Sequence, residues 1–229
     1  MASSPIAGIC SMATRHLLEE LAGTYEKQTG QPVTITWAGG VDVVKRIQAR
    51  EPFDFVSQAA DAVKKLGAEG HVDAASQIAV ARSGVAVAVP AGAPPPDLSS
   101  GDAVRRAILA APKVGYSSGP SGVHLQKLFQ QWGIAATMGA RLVQAQPGVP
   151  VGTLVGRGEV QLGFQQMSEL VGLPGIDIVG SLPPDIQVIT EFSAARCTVS
   201  SRADAVAAFL AFVNRPESVA VKRRHGLEP

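Results

Sequence analysis

Residues 78–90, IAVARSGVAVAVP, decide the fold of this chain. Branched valines alternate with alanines along the second half of the segment, a pattern that favours a strand, and Pro90 ends it. Because strands usually have about 3–10 residues, we expect this long one to leave one sheet and enter another. A second β-rich segment at residues 188–199 predicts a return crossing.

Two crossings divide the chain into two predicted lobes. The first lobe comprises residues 1–82 with residues 191–229, and the second comprises residues 83–190. Within each lobe, short apolar strands alternate with amphipathic helices through short connections. This alternation predicts an α/β fold, with a mostly parallel sheet flanked by helices in each lobe and a ligand cleft between the lobes.

Composition excludes several classes of protein. Hydrophobic residues make up 46% of the 229 residues and charged residues 17%, so a packed core is expected and disorder is not. The net charge is +1, and the basic cluster at residues 222–224 ends a predicted helix, so we expect no nucleic-acid partner. No apolar run approaches the roughly 20 residues of a membrane-spanning helix, so no membrane insertion is expected.

Localisation and cysteine chemistry stay open. The first five residues lack the features of a signal peptide, so we expect a cytoplasmic protein if Met1 is native and a periplasmic one if an export sequence was removed. Cys10 and Cys197 are interpreted as buried small side chains, with a bridge open if their strands are neighbours. No Cys/His spacing typical of a metal site occurs, so neither a metal nor another cofactor is expected.

Ligands of open α/β sheets bind beyond the carboxyl ends of the strands, where helix N-termini favour an anion. Small or polar residues occupy such places along this chain. The predicted ligand-binding residues outside the serine-rich turn are Ser11, Arg15, Gly39, Gly40, Ser57, Val151, Gln165 and Gln166. Arg15 lies one turn into the first predicted helix, where a solvated helix face is an equally good interpretation.

The serine-rich turn at residues 116–122, YSSGPSG, is the most informative of these places. Ser121 as the N-cap of the next helix would suffice for an ordinary capped turn. Because Ser117 and Ser118 are then not needed as caps, we predict that Ser117, Ser118, Gly119 and Ser121 contact the ligand.

Several short segments together carry a family resemblance. They are the order strand, Ser11, helix; residues 26–30 (EKQTG); residues 52–56 (PFDFV); residues 157–159 (RGE); and residues 225–229 (HGLEP). Their order and spacing resemble the molybdate-binding proteins of bacterial ABC transporters, which belong to the type II periplasmic-binding-protein class. The resemblance implies two lobes that close over a small anionic ligand, a monomer and, if the protein is exported, an ABC transporter permease as partner.

The segments expected at the cleft depart from that family. Gly39-Gly40 and Gln165-Gln166 stand where molybdate binders usually carry a serine and a tyrosine, so weak molybdate binding is expected. Residues 116–122 and 147–152 look more like the subgroup that includes aconitate isomerase, which moves a double bond in a tricarboxylate. Two functions are therefore predicted: binding of a small carboxylate or oxyanion, and alternatively isomerisation of a tricarboxylate.

An isomerase of this kind needs a base that takes a proton from carbon and an acid that returns one. Tyr116, the first residue of the serine-rich turn, and His124, which follows the turn, are the candidate catalytic residues. No pair of residues stands out as an acid–base couple, so the sequence leaves enzyme and binding protein open.

Overall fold

The computed structural model describes residues 4–229, which form two compact units. One unit comprises the residues up to Arg82 together with Glu191–Pro229, and the other comprises Ser83–Thr190. The chain passes between the units inside its two long strands, because the fourth strand spans Ile78–Pro90 and the ninth spans Ile189–Arg196.

Nine strands and ten α-helices are present in residues 4–229. The strands are β1 (Ile6–Ser11), β2 (Val33–Ala38), β3 (Phe55–Ala59), β4 (Ile78–Pro90), β5 (Val114–Tyr116), β6 (Leu142–Gln144), β7 (Leu162–Gln166), β8 (Ile176–Ser181) and β9 (Ile189–Arg196). The helices are α1 (Arg15–Thr29), α2 (Gly40–Gln48), α3 (Ala60–Ala68), α4 (Gly101–Ala110), α5 (Pro120–Gln131), α6 (Ala135–Met138), α7 (Val151–Gly156), α8 (Met167–Leu170), α9 (Ala203–Val213) and α10 (Ser218–Arg224).

The sheet of the first unit is built around β1. This strand pairs in parallel with both β2 and β3, and β9 adds to β3 in the antiparallel direction. Cys10 lies opposite Trp37 on one side and opposite Ser57 on the other. Since the three parallel strands end at the same edge, the turns that lead into α1, α2 and α3 gather there.

The sheet of the second unit follows the same plan around β5. The strands β6 and β7 flank β5 in parallel, with Tyr116 opposite Gln144 and Phe164. On the far side of β7, β4 runs antiparallel and also pairs with β8. The carboxyl ends of β5, β6 and β7 therefore share one edge, from which α5, α7 and α8 begin.

Side-chain alternation separates the two core layers in the first unit. Ile6, Cys10 and Phe55 face a layer formed by α1 and α9, whereas Ile9 and Val56 face a layer formed by α2 and α3. Successive residues of a strand point to opposite faces, so each strand supplies both layers. Helices cover both faces of this sheet, as predicted.

In the second unit, the valines and the alanines of β4 lie on opposite faces of the sheet. Val85, Val87 and Val89 join the core cluster that contains residues of α4 and α5. Ala86 and Ala88 face the other way and pack with Leu170 of α8. Alanines at these positions leave room for α8 to approach the sheet closely.

Both cysteines are free thiols buried in the first unit. Burial raises the pKa of the Cys10 thiol, and burial raises the pKa of Cys197 to about 12, so both are protonated at neutral pH. None of the helices within residues 4–229 is long and apolar enough to cross a membrane. The same residues include no cluster of three or more His, Cys, Asp or Glu side chains placed to hold a metal ion.

Candidate functional site

Two buried hydroxyls without a partner lie at the carboxyl edge of the first unit's sheet. Ser11 is the last residue of β1 and is 5% exposed, and Ser57 lies in β3 and is 0% exposed. Neither Oγ has a hydrogen-bond partner among the described residues. A buried polar group that stays unpaired costs free energy, so each of these hydroxyls is a candidate hydrogen-bond donor to a ligand.

The segment after Ser11 differs from the predicted one. A single 3₁₀ turn, Met12–Thr14, separates Ser11 from α1, and the Ser11 side chain makes no capping bond. Arg15 therefore begins the helix, where its Nε donates to Glu19 Oε1 at 3.0 Å. The Arg15 side chain is 41% exposed in this pair, as in the alternative interpretation of a solvated helix face.

Gly39 and Gly40 begin α2, at the end of β2. Gly39 is the N-cap residue and Gly40 is the first helical residue. The Gln58 side chain, which is 3% exposed, donates from Nε2 to the Gly40 carbonyl at 2.9 Å. A Cβ atom at position 40 would lie 2.9 Å from this nitrogen, so a larger residue there would shift the Gln58 amide. Sequence reasoning missed Gln58, although an amide inside an apolar strand was an available signal.

In the second unit, the serine-rich turn folds around the Ser117 hydroxyl. Ser117 Oγ accepts hydrogen bonds from the N–H groups of Gly119 and Gly122, each at 3.2 Å, and lies 2.8 Å from Ser121 Oγ. Helix α5 begins at Pro120, with Gly119 as its N-cap residue. The prediction that Ser121 is the N-cap is wrong, because Pro120 with its preset φ starts the helix before it. The prediction that Ser117 has no capping role is also wrong.

Ser118 is the hydroxyl of this turn that remains available. It is half-buried, and its side chain has no hydrogen-bond partner among residues 4–229. The neighbouring backbone is held tightly, since a Cβ atom on Gly122 would lie 1.7 Å from the Ser117 carbonyl oxygen. A rigid turn thus presents one free hydroxyl beside the N-terminus of a helix of 12 residues.

Both predicted catalytic side chains have protein partners. The Tyr116 ring packs edge-on against Phe129 at 5.6 Å, and its hydroxyl lies 3.5 Å from Gln126 Nε2. His124 is half-buried, with Nε2 2.7 Å from the Ile186 carbonyl oxygen. Both contacts direct these side chains toward the body of the unit, and a catalytic role for them stays a prediction.

The adjacent glutamines at the end of β7 have different partners. Gln165 Oε1 accepts from the N–H of Val151, the first residue of α7, at 2.6 Å. Gln166, oriented to satisfy its neighbours, donates from Nε2 to the Ser83 carbonyl at 3.0 Å and accepts from Thr190 Oγ1 at 2.7 Å. Gln165 thus links the end of β7 to the start of α7. Gln166 links the chain segment that enters the second unit at Ser83 to the segment that leaves it at Thr190.

Sequence reasoning also missed two polar residues that follow these glutamines. Ser168 is 4% exposed and its Oγ has no partner among the described residues. Glu169 is half-buried. Desolvation raises the pKa of Glu169 to about 7, against the lowering effect of the nearby Gln165 amide. An acid in a short helix gives no sequence signal of such an environment.

Comparison with known proteins supports one family. The family described as bacterial extracellular solute-binding protein matches residues 6–228. A protein named aconitate isomerase, from a Pseudomonas species, is 34% identical over 240 residues, which cover 100% of this chain and 90% of that protein.

Solved structures show the same fold at lower identity. The periplasmic molybdate-binding protein of Azotobacter vinelandii superimposes with a TM-score of 0.80 at 21% identity, covering 98% of this chain and 99% of that chain. A tungstate-binding protein from Desulfovibrio alaskensis has a TM-score of 0.65 at 17% identity, covering 95% and 93%. These likenesses confirm the predicted α/β type II periplasmic-binding-protein fold.

Ser117→Ala should destabilise the protein much more than Ser118→Ala. The first change removes the acceptor for two N–H groups at the start of α5 and should cost about 1–2 kcal/mol of unfolding free energy. The second removes no hydrogen bond to residues 4–229 and should stay within about 0.5 kcal/mol of the wild type. Urea unfolding of the three proteins measures both values, and equal losses would contradict the assigned role of Ser117.

Glu169 should make the protein less stable as pH rises. Its pKa is about 7 in the folded chain against an ordinary 4.5, so between these values the folded state binds more protons than the unfolded state. The unfolding free energy contributed by this group then falls through that window. Urea unfolding at about pH 5 and about pH 8 measures the decrease in unfolding free energy, and Glu169→Gln should make this decrease smaller. Glu159→Gln, at an exposed position of the same unit, should leave the decrease in unfolding free energy unchanged.

Proposed function

The chain belongs to the bacterial extracellular solute-binding protein family, and we propose that its solute is a small carboxylate anion. The main support for this proposal is that the buried hydroxyls of Ser11 and Ser57 have no hydrogen-bond partner among the described residues. Folding leaves these groups desolvated, so a ligand that accepts hydrogen bonds from them recovers free energy that the free protein lacks. A carboxylate is acceptor-only and therefore suits a hydroxyl donor of this kind.

The second unit supports an anion by a separate set of groups. Ser118 offers a free hydroxyl next to the start of α5, and the Ser121 N–H at that helix end has no partner among the described residues. Unpaired N–H groups and the positive end of the helix dipole favour a negative ligand. We propose Ser11 and Ser57 as ligand contacts in the first unit and Ser118, Gly119 and Ser121 as ligand contacts in the second. Ser117, Gln165 and Gln166 hold the local geometry of the second unit.

We prefer a carboxylate to molybdate for two reasons, one from the sequence and one from the similarity to a known protein. Two donors that molybdate binders usually carry are replaced here by Gly39-Gly40 and Gln165-Gln166, and the amides of both glutamines have protein partners. The relative at 34% identity is named for a tricarboxylate, aconitate. A tricarboxylate such as trans-aconitate is therefore the first ligand to test.

Isothermal titration with trans-aconitate, citrate, molybdate and glucose tests the proposal. We expect carboxylate binding, weak molybdate binding and no glucose binding. Ser11→Ala and Ser118→Ala should each weaken carboxylate binding by about 10-fold or more, because a hydrogen bond to a charged group contributes roughly 1.5–3 kcal/mol.

Ser201→Ala is the matched control, since Ser201 is exposed and lies in the loop after β9. Because β9 runs antiparallel to β3, that loop is at the opposite edge of the sheet from Ser11 and Ser57. Unchanged carboxylate affinity in both Ser11→Ala and Ser118→Ala, or glucose binding tighter than every anion, would refute the proposal.

A second candidate function is isomerisation of a tricarboxylate, favoured by the 34% identity to the protein named aconitate isomerase over the whole chain. Such a reaction removes a proton from the methylene carbon, moves the double bond by one position and returns a proton to the former vinyl carbon. A binding protein for the same solute would need the same anion-holding groups but would not exchange carbon-bound protons.

Incubation with cis- or trans-aconitate in deuterated water separates the two candidates. Proton NMR should show loss of the vinyl and methylene signals and interconversion of the isomers if the protein is an isomerase. A protein that binds aconitate but leaves both signals intact over days is a binding protein and no isomerase. Replacement of Tyr116 by Phe and of His124 by Ala then tests the two residues predicted to transfer protons.

Location and partners are part of the proposal. The family is described as extracellular, which fits a protein that acts in the periplasm after removal of an export sequence. In that setting we propose a monomer that delivers its solute to an ABC transporter permease. Size-exclusion chromatography with light scattering tests the oligomeric state directly.

A further inference from the structure

Gln58 is a buried amide that ties together the starts of two helices in the first unit. It is 3% exposed, its Nε2 donates to the Gly40 carbonyl at 2.9 Å, and its Oε1 accepts from the Ala59 N–H at 2.8 Å. Gly40 is the first residue of α2, and Ala59 is the N-cap residue of α3. Half a turn of the amide would set oxygen against oxygen and N–H against N–H, so the two contacts fix its orientation. Gln58 therefore holds the start of α2 against the start of α3.

The start of α2 has N–H groups that no protein group accepts from. Its N-cap residue, Gly39, has no side chain to cap it, and the N–H groups of Gly40 and Val41 have no hydrogen-bond partner among residues 4–229. Gly40 is half-buried and Val41 is 64% exposed, so a solute can reach this helix start. By contrast, α4 in the second unit follows β4, which runs antiparallel to β7, so it starts away from the carboxyl edge there; its own N-cap residue, Ser100, accepts from the Ala103 N–H at 3.2 Å.

A further unpaired donor lies beside the start of α2. Ser11, whose buried Oγ has no partner among the described residues, pairs in register with Ala38, the residue that ends β2. Side chains two residues apart in a strand face the same way, so Ser11 faces the layer of α2 and α3 together with Ile9. Gln58 faces the same layer, two residues after Val56. The hydroxyl, the helix start and the amide that holds it are therefore gathered at one place.

We propose that Gln58 is a positioning residue of the solute site, which holds the start of α2 so that its free N–H groups and the Ser11 hydroxyl bind one carboxylate group of the solute. The inference rests on the proposed function, since it requires a carboxylate solute. Free N–H groups and the positive end of the helix dipole favour an anion, and hydrogen bonds weaken steeply when their angles depart from the best geometry. Gln58 acts through the backbone of α2, to which its nitrogen is bonded, and not by touching the solute.

The test applies two measurements to the intact protein: isothermal titration with trans-aconitate, and NMR of protein labelled with ¹⁵N-glycine. Gln58→Met keeps the length of the side chain and removes both hydrogen bonds of the amide, so its Kd for trans-aconitate should rise about tenfold or more. In the wild type, trans-aconitate should move the amide resonance of Gly40, which is identified by its loss in Gly40→Ala.

The NMR measurement separates positioning from a general contribution to stability. In Gln58→Met saturated with trans-aconitate, the movement of the Gly40 resonance should be smaller than in the wild type, whereas that of Gly119 in the second unit should persist. A residue that only stabilises the fold would leave the Gly40 movement intact in the saturated complex, and that result overturns the inference. Loss of both movements together would mean a general disruption of the protein and also overturns it.

Gln48→Met is the matched control. Gln48 ends α2, and its Nε2 donates to Oε2 of Glu69, the C-cap residue of α3, at 2.8 Å, so it links the same two helices at their far ends. This variant should bind trans-aconitate with the wild-type Kd. Gln58→Asn, which shortens the side chain by a methylene group, should raise the Kd as Gln58→Met does, and it tests the inference if the methionine variant fails to fold.

The outcomes distinguish this inference from the proposed function. A wild-type Kd in both Gln58 variants, an equal rise of the Kd in Gln48→Met, or an unmoved Gly40 resonance in a wild type that binds trans-aconitate overturns the inference alone. A wild type that binds no carboxylate overturns the proposed function and the inference together.

Discussion

Alternation of valine and alanine along β4 is the constraint on which the second unit depends. The valines fill the layer beneath α4 and α5, and the alanines leave the opposite face shallow enough for Leu170 to pack there. A shift of one residue in this strand would exchange the two layers. Because β4 pairs with β7, the same register decides where Gln165 and Gln166 emerge from the sheet. The polar groups of this edge are thus positioned by apolar side chains on the neighbouring strand.

Much of the scaffold could be predicted from the sequence because it follows from periodicity. The segment 78–90 forms one strand over its full length, and the alternation of strands and helices yields, in each unit, parallel strands with antiparallel neighbours. The second long segment is shorter than expected, Ile189–Arg196 instead of 188–199. Its ends are loops whose backbone bonds are made to residues distant in sequence, such as the bond from Thr198 N–H to the His71 carbonyl, and periodicity carries no such information.

The candidate site was harder to predict, because the hydrogen bonds that each polar residue makes in the fold, and not its residue type, decide what it does. Ser117 and Ser118 are neighbours of identical chemistry, yet one holds the start of α5 and the other has no protein partner. Gln165 and Gln166 differ in the same way, through contacts 14 residues and more away. Glu169 had no sequence signal at all, since its distinction is desolvation by a fold that only the whole unit creates.

The turn around Ser117 also has a consequence for how such a protein can diversify. The positions that secure the backbone, Ser117 and Gly122, are interlocked, since any side chain at Gly122 would collide with the Ser117 carbonyl. Ser118 has no share in that interlock, since its side chain makes no hydrogen bond within residues 4–229. Single substitutions at Ser118 can therefore change the surface beside the start of α5 while the interlock stays intact, and a laboratory library that randomises Ser118 while preserving Ser117 and Gly122 should contain mostly folded proteins.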